Sequence, residues 1–218
     1  MKITRDNEKL VQASLYPEKI LVRSWYFGEG LPGSLPEAWL REGVYERLLL
    51  AAESLPDNLR FVIWDGWRSY ELQKFLFDTL YARAKAKGLD DESAYALTRT
   101  FVAVPSKEPE SVSGHLTGGS MDLTLADMYG RYLDMGGNFD ETEEHSATGY
   151  YEKSDLSVQS NVNALNNRRL LVSIMTGAGF VNNPNEWWHY DYGNRRWAEL
   201  TGSGEFFYGY TEPPFKWH

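Results

Sequence analysis

The chain has 218 residues, 42% hydrophobic and 24% charged, which suits one sizeable domain with an ordinary packed core. Its 22 basic and 31 acidic residues leave a net charge of -9, so a phosphate-neutralising surface, and with it a nucleic-acid partner, is excluded. The absence of cysteine excludes disulfide frameworks and thiolate metal sites, leaving His, Asp and Glu as candidate ligands.

The first nine residues are charged and lack the apolar run of a signal peptide, and no stretch approaches the roughly 20 apolar residues of a membrane span. A cytoplasmic protein without a membrane partner is expected. Residues 21–27 read as a short strand before a Gly/Pro-rich turn. Ser34 as cap, Glu37 three residues on and a proline in the first turn predict a helix to about Ser54. Leu40, Val44 and Leu48 form its apolar stripe, with Tyr45, Leu49 and Ala52 beside it. Residues 59–64 read as a buried strand, left through the turn Asp65-Gly66-Trp67-Arg68. Ser69 caps the next helix, with Leu72, Phe75, Leu76, Thr79 and Leu80 at helical spacing and Lys85, Lys87 and Gly88 as its stop. A third helix spans 92–102, and a polar loop over 105–112 leads to His115.

Residues 123–125 continue as a strand, and Tyr129-Gly130 turn the chain back into 131–135. The stretch 136–160 is rich in acids and glycines without periodicity, and a loop of that length in a compact domain reads as a functional lid or rim. Residues 161–179 are helical, with Val162, Leu165, Leu171, Ile174, Met175 and Ala178 inward and Gly179 as the stop. Residues 187–192 read as an aromatic strand and 206–208 as a last edge strand. The pattern predicts an α+β fold over 1–218, a single domain with a central, mainly antiparallel sheet flanked by helices.

Two stretches carry chemistry. In Ser113-Gly114-His115-Leu116-Thr117-Gly118-Gly119-Ser120-Met121-Asp122, a tight hairpin centred on the paired glycines would set His115 opposite Asp122 on one face, within reach of one ion. Glu186-Trp187-Trp188-His189 adds a second imidazole and a carboxylate that need not be a ligand. Two nitrogens and one oxygen leave the fourth tetrahedral position of a zinc ion open, the composition of a catalytic site. Glu186 and His189 are three apart, so on a regular strand they point to opposite faces; irregular backbone around 182–185 is required to bring them together. Arg68 reads either as the ion-pair partner of Asp65 or as a fixed cation beside a developing oxyanion. Trp187 and Trp188 read as wall and core, His145 as a solvated loop residue, and His218 as a free C-terminal residue.

Together these motifs resemble the zinc D-alanyl-D-alanine dipeptidases of the VanX type, within the wider group of zinc D,D-peptidases and their hedgehog-like relatives. The resemblance rests on Ser113-x-His115-x6-Asp122 and Glu186-Trp187-Trp188-His189. It is extended by Trp64-Asp65-Gly66-Trp67-Arg68, Asp122-Leu123-Thr124-Leu125, Met135-Gly136 through Phe139-Asp140, and Asn167-Arg168-Arg169, in order over about residues 59–192. It implies one zinc ion held by His115, Asp122 and His189, with Glu186 as general base and Arg68 as oxyanion stabiliser. It further implies that Ser113 contacts substrate and that Asp140 pairs with the free ammonium of a dipeptide, which would restrict the enzyme to short substrates. Zinc lowers the pKa of its water toward roughly 7 while a carboxylate shuttles the proton. The place of the family's amine-binding tyrosine falls at Val22 or a neighbour, with Tyr26 out of register. Other readings are a D,D-carboxypeptidase of cell-wall peptides and a non-catalytic zinc module, against which Glu186 argues.

Overall fold

The computed structural model describes residues 3–214, so His218 lies outside the described residues. In chain order it contains β1 (Leu10–Gln12), β2 (Ile20–Val22), α1 (Trp25–Gly28), β3 (Trp39–Arg41) and α2 (Glu42–Glu53). Next come β4 (Leu59–Asp65), α3 (Tyr70–Ala86), α4 (Asp91–Phe101), α5 (Gly114–Thr117) and β5 (Ser120–Asp127). After a long loop with two single-turn 3-10 helices follow α6 (Gln159–Gly177), β6 (Val181–Asn183), β7 (Glu186–Asp191) and α7 (Arg195–Thr201).

A five-stranded sheet in the order β2-β4-β5-β7-β6 forms the centre, antiparallel except for the β2–β4 pair, while β1 and β3 pair separately. This is the mainly antiparallel α+β architecture that the hydrophobic pattern predicts. Phe61 opposite Leu125, Ile63 opposite Leu123 and Met121 opposite Tyr190 share one face. Val44, Leu48 and Ala52 of α2 and Leu171, Ile174 and Met175 of α6 join them in one buried cluster. Each such aliphatic or aromatic side chain contributes about 1.5–3 kcal/mol by leaving water. The opposite face carries Asp122, opposite His189, and Ser120, opposite Asp191.

Local expectations give way where tertiary contacts compete. The helix expected from Ser34 starts at Glu42, because residues 39–41 pair with β1 and the Ser34 hydroxyl bonds back to the Leu31 carbonyl. Residues 21–27 divide between the end of β2 and α1. In α3, Phe77 is buried and Phe75 exposed, since α4 lies alongside and Tyr95 meets the Phe77 ring at 5.7 Å. Residues 206–208 form one bridge, Phe206 to Ile3, rather than an edge strand, with the Phe207 and Tyr208 amides donating to the Gly193 carbonyl.

The long loop is fastened from below by Arg168 on α6. Its guanidinium, buried and without a carboxylate partner, donates to the carbonyls of Met135 (2.8 Å), Ala147 (2.7 Å) and His145 (2.7 Å). The charge lies over the rings of Tyr151 and Trp187, and burial pulls its pKa down to about 10. His145, expected as a solvated residue, is tied in twice, by this carbonyl and by its ring nitrogen 2.9 Å from Glu141. Replacing Arg168 by Met leaves the Met135 and His145 carbonyls without a donor and the Ala147 carbonyl with the Tyr150 amide alone, and urea denaturation should show a loss of about 3 kcal/mol. Arg169→Met, which removes an exposed pair with Glu152, should leave the midpoint nearly unchanged.

Candidate metal centre and active site

Register alone brings Asp122 and His189 together, because directly opposed residues on neighbouring strands project from one face. His115 arrives differently from the expected hairpin. Ser113 starts a helical turn, α5, that Gly118 ends in the left-handed conformation (φ 70°), so the paired glycines close a turn of helix instead of a ladder. The turn is held by Arg41, whose Nε donates to the Thr117 carbonyl at 2.8 Å, and by the Arg68 amide, which donates to the His115 carbonyl.

The outcome is a point of convergence. His115 Nε2 lies 3.2 Å from His189 Nδ1 and 3.4 Å from Asp122 Oδ2, and His189 Nδ1 lies 2.9 Å from Asp122 Oδ1. Tetrahedral ligands about 2.0–2.1 Å from a zinc ion stand roughly 3.3 Å apart; the two imidazole nitrogens stand at that spacing, with an Asp122 oxygen beside each and one ligand atom from every residue within 4.8 Å of the others. Each imidazole is fixed from behind. His115 Nδ1 donates to the Gly66 carbonyl at 2.7 Å, and His189 Nε2 faces Asp191 Oδ1 at 3.2 Å. In the neutral rings the inward nitrogens therefore carry lone pairs, which repel each other and the carboxylate unless a proton or a metal cation lies among them.

Glu186 joins this group through the irregularity its spacing demands. The β6–β7 register shifts between Asn182 and Asn183, and Asn182 Nδ2 bonds the loosened carbonyls, that of His189 at 3.0 Å. The Glu186 carboxylate thereby lies 3.9 Å from His189 Nδ1, oriented by Asn183 Nδ2 at 2.7 Å. Burial pushes its pKa up. The structure shows the ion-pair reading of Arg68. Its Nε and Nη2 donate to Asp65 Oδ2 at 2.9 and 2.8 Å, Nη1 donates to Gln73, and Nη2 stands 3.8 Å from Asp122. A second bulge, between Ile63 and Asp65, sets Asp65 opposite Asp122 and so brings this pair to the site face.

Tyr26 is in the site after all. It is buried on α1, under the Arg68 guanidinium (5.2 Å), with the Asp140 carboxylate beside it. Sequence register missed it because α1, a four-residue helix, replaces the expected strand there. Asp140 is the one non-glycine residue with positive φ (63°) among the described residues, a conformation Asp tolerates and that marks a position fixed by its surroundings. The residue itself borders solvent, yet protein packed around its carboxyl pushes the pKa up to about 6. Ser113, at the start of α5, is buried with an Oγ that has no hydrogen-bond partner. Trp25, Trp64, Trp188 and Phe139 form an aromatic wall beside them.

Comparison with known proteins agrees with this geometry. The family profile described as D-ala-D-ala dipeptidase (Peptidase_M15) matches residues 43–201. The chain belongs to this family of metallopeptidases. Its matched span contains His115, Asp122, His189, Glu186, Arg68, Ser113 and Asp140, and leaves Tyr26 outside. The chain is similar to the D-alanyl-D-alanine dipeptidase of Synechocystis sp., with 34% identity over 175 residues, 73% of this chain and 71% of the relative. The corresponding protein of Enterococcus faecium is 31% identical over 156 residues, 68% of this chain and 71% of the relative. Among solved structures, VanYB in complex with D-Alanine-D-Alanine aligns at 22% identity and a TM-score of 0.47, covering 78% of this chain and 80% of that one. Among the described residues no helix is long and apolar enough to cross a membrane.

Asp191 and Asp122 raise the pKa of His189 well above the usual value, overcoming the opposing effect of burial, so the metal-free ring is protonated at neutral pH. Zinc binding must displace that proton. Titrations at a series of pH values should show the apparent affinity falling about tenfold for each unit of pH lost around neutrality.

Proposed function

We propose that the chain is a zinc-dependent dipeptidase that cleaves D-alanyl-D-alanine into two D-alanines, and that residues 1–218 form a single peptidase domain holding one zinc ion. The observation that carries this reading is the ligand triad His115, Asp122 and His189 with the Glu186 carboxylate 3.9 Å from a ligand nitrogen and no part of the triad itself. Bound zinc supplies a Lewis acid and an acidified water. Glu186 takes a proton and returns it to the leaving amine, a role suited to a carboxylate whose pKa burial has raised. Arg68, held rigid by Asp65 and Gln73, presents its charge where the carbonyl oxygen gains negative charge. Asp140, with Tyr26 beside it, receives the substrate ammonium, and Ser113 offers its unpaired hydroxyl to the dipeptide. A substrate without a free ammonium leaves Asp140 facing an uncharged group, which penalises longer peptides.

Zinc-loaded, folded protein should release D-alanine from D-Ala-D-Ala and leave the N-acetylated dipeptide largely intact; no release would overturn the reading. Glu186→Ala should keep zinc, measured by metal analysis, and lower kcat by about 10²–10⁴-fold. Because the folded-state pKa of Asp140 is raised to about 6, its carboxylate exists above that pH and is lost as pH falls through it. KM for the dipeptide should therefore rise below about pH 6, and in Asp140→Asn it should be high throughout with this dependence gone.

A further inference from the structure

One buried carboxylate takes no part in the proposed reaction. Asp191 is 1% exposed and follows His189 by two residues on β7, so both side chains project to the same side. Its Oδ1 accepts the Ser120 hydroxyl at 2.5 Å and Asn194 Nδ2 at 2.6 Å, and stands 3.2 Å from His189 Nε2. Its Oδ2 has no hydrogen bond and faces Arg196 Nε at 3.6 Å. The same three side chains abut the backbone that carries the other imidazole. A Cβ placed on Gly114 would lie 1.9 Å from Ser120 Oγ, 2.5 Å from Asn194 Nδ2 and 2.8 Å from Asp191 Oδ1. Gly114 begins α5, one residue before His115.

From this juxtaposition we infer that Asp191 is a positioning residue for the metal: with Ser120 and Asn194 it fixes the tautomer and ring angle of His189 and sets how closely the His115 turn approaches it. Because Oδ1 can only accept, His189 must keep its hydrogen on Nε2 and offer a bare Nδ1 to the ion. Ser120 and Asn194 hold that oxygen in place, so the ring cannot rotate without abandoning a buried charge. A carboxylate behind a ligating imidazole also makes the ring a stronger donor. The close approach at Gly114 makes the cluster a spacer between the two histidines as well as a tether for one. This role rests on the zinc reading given above and extends it to residues outside the ligand set.

The test compares zinc affinity, by competition with a chelating dye, in the unmodified protein, Asp191→Ala and Asp191→Asn. Asp191→Ala should weaken zinc binding by about 10–100-fold. Asp191→Asn keeps an oxygen for Ser120, Asn194 and His189 but loses the charge, so its loss should be smaller. In nitrogen-edited NMR of the zinc-loaded proteins, the His189 Nε2 proton should be a shifted, slowly exchanging signal in the unmodified chain and in Asp191→Asn. In Asp191→Ala it should be lost to solvent exchange, a change that a merely structural role would not produce. Unchanged affinity in a folded Asp191→Ala, or in Asp191→Asn if the alanine variant does not fold, would overturn the inference. Failure of the unmodified protein to bind zinc would instead overturn the function proposed above.

Discussion

His115 Nε2 and His189 Nδ1 stand 3.2 Å apart with an Asp122 oxygen beside each, Oδ2 at 3.4 Å from the first and Oδ1 at 2.9 Å from the second, and ties on the far sides of the rings hold them there. Once the proton that His189 carries without metal is gone, these donors repel one another, and the sheet, a turn of helix and a glycine together keep them from separating. Asp122 and His189 cannot part without breaking the β5–β7 ladder. His115 cannot withdraw without losing the Gly66 carbonyl, and Gly66 itself is pinned where an added Cβ would stand 2.8 Å from the Trp39 carbonyl oxygen. Strand pairing at β1–β3 thus reaches the metal point through a single carbonyl. Preorganisation of this kind places the cost of crowding in folding and removes it from ion binding.

The charge balance of the cleft points the same way. Asp65, Asp122, Asp140, Glu186 and Asp191 converge on a region where Arg68 is the buried cation within reach. Arg68 is committed to Asp65, and breaking so buried a pair leaves an isolated charge at a cost of several kcal/mol. The remaining acids divide by their neighbours. Burial pushes Asp140 and Glu186 up, whereas Asp122, in spite of burial, is drawn down by His115 and His189. The acids kept low, Asp122 and Asp191, lie against the imidazoles, whereas burial dominates at those kept high, Asp140 and Glu186, so surroundings alone set apart residues of one chemical type.

Much of this was legible in the sequence, for reasons that differ by element. The strand 59–65 and the helices after Ser69 and before Gly179 followed from apolar spacing and caps, since local signals and packing agree there. The triad and Glu186 were legible as a set of ordered motifs, although the hairpin expected around Gly118-Gly119 is a turn of helix. Paired glycines permit positive φ in a hairpin or at a helix stop alike, and Ser113 as a helix start was the cue that separates them. Tyr26 was hidden by a helix too short to show periodicity, and the late start of α2 by pairing with β1, a contact outside any local window. Asp191 left a plain trace, since an acid two residues after a ligand histidine on a strand faces the same way.

The places where local rules fail are the places where the site is made. A bulge at Ile63/Asp65 turns Asp65, and with it Arg68, toward Asp122. The register shift at Asn182/Asn183 brings Glu186 beside His189. Asp140 occupies a left-handed conformation at the end of the loop that Arg168 fastens, and Asn182 and Arg168 satisfy the backbone groups these departures free. Each irregularity carries a carboxylate to a position that regular pleat would deny it, and each is held by a side-chain amide or guanidinium bonded to main-chain carbonyls or to a neighbouring acid. The sheet therefore brings Asp122 and His189 together by register, and its defects bring Glu186 and Arg68 beside them. Straightening the β6–β7 shift would carry Glu186 away from His189, and straightening the bulge at Ile63/Asp65 would displace Asp65, Arg68 and the Gly66 carbonyl that holds His115.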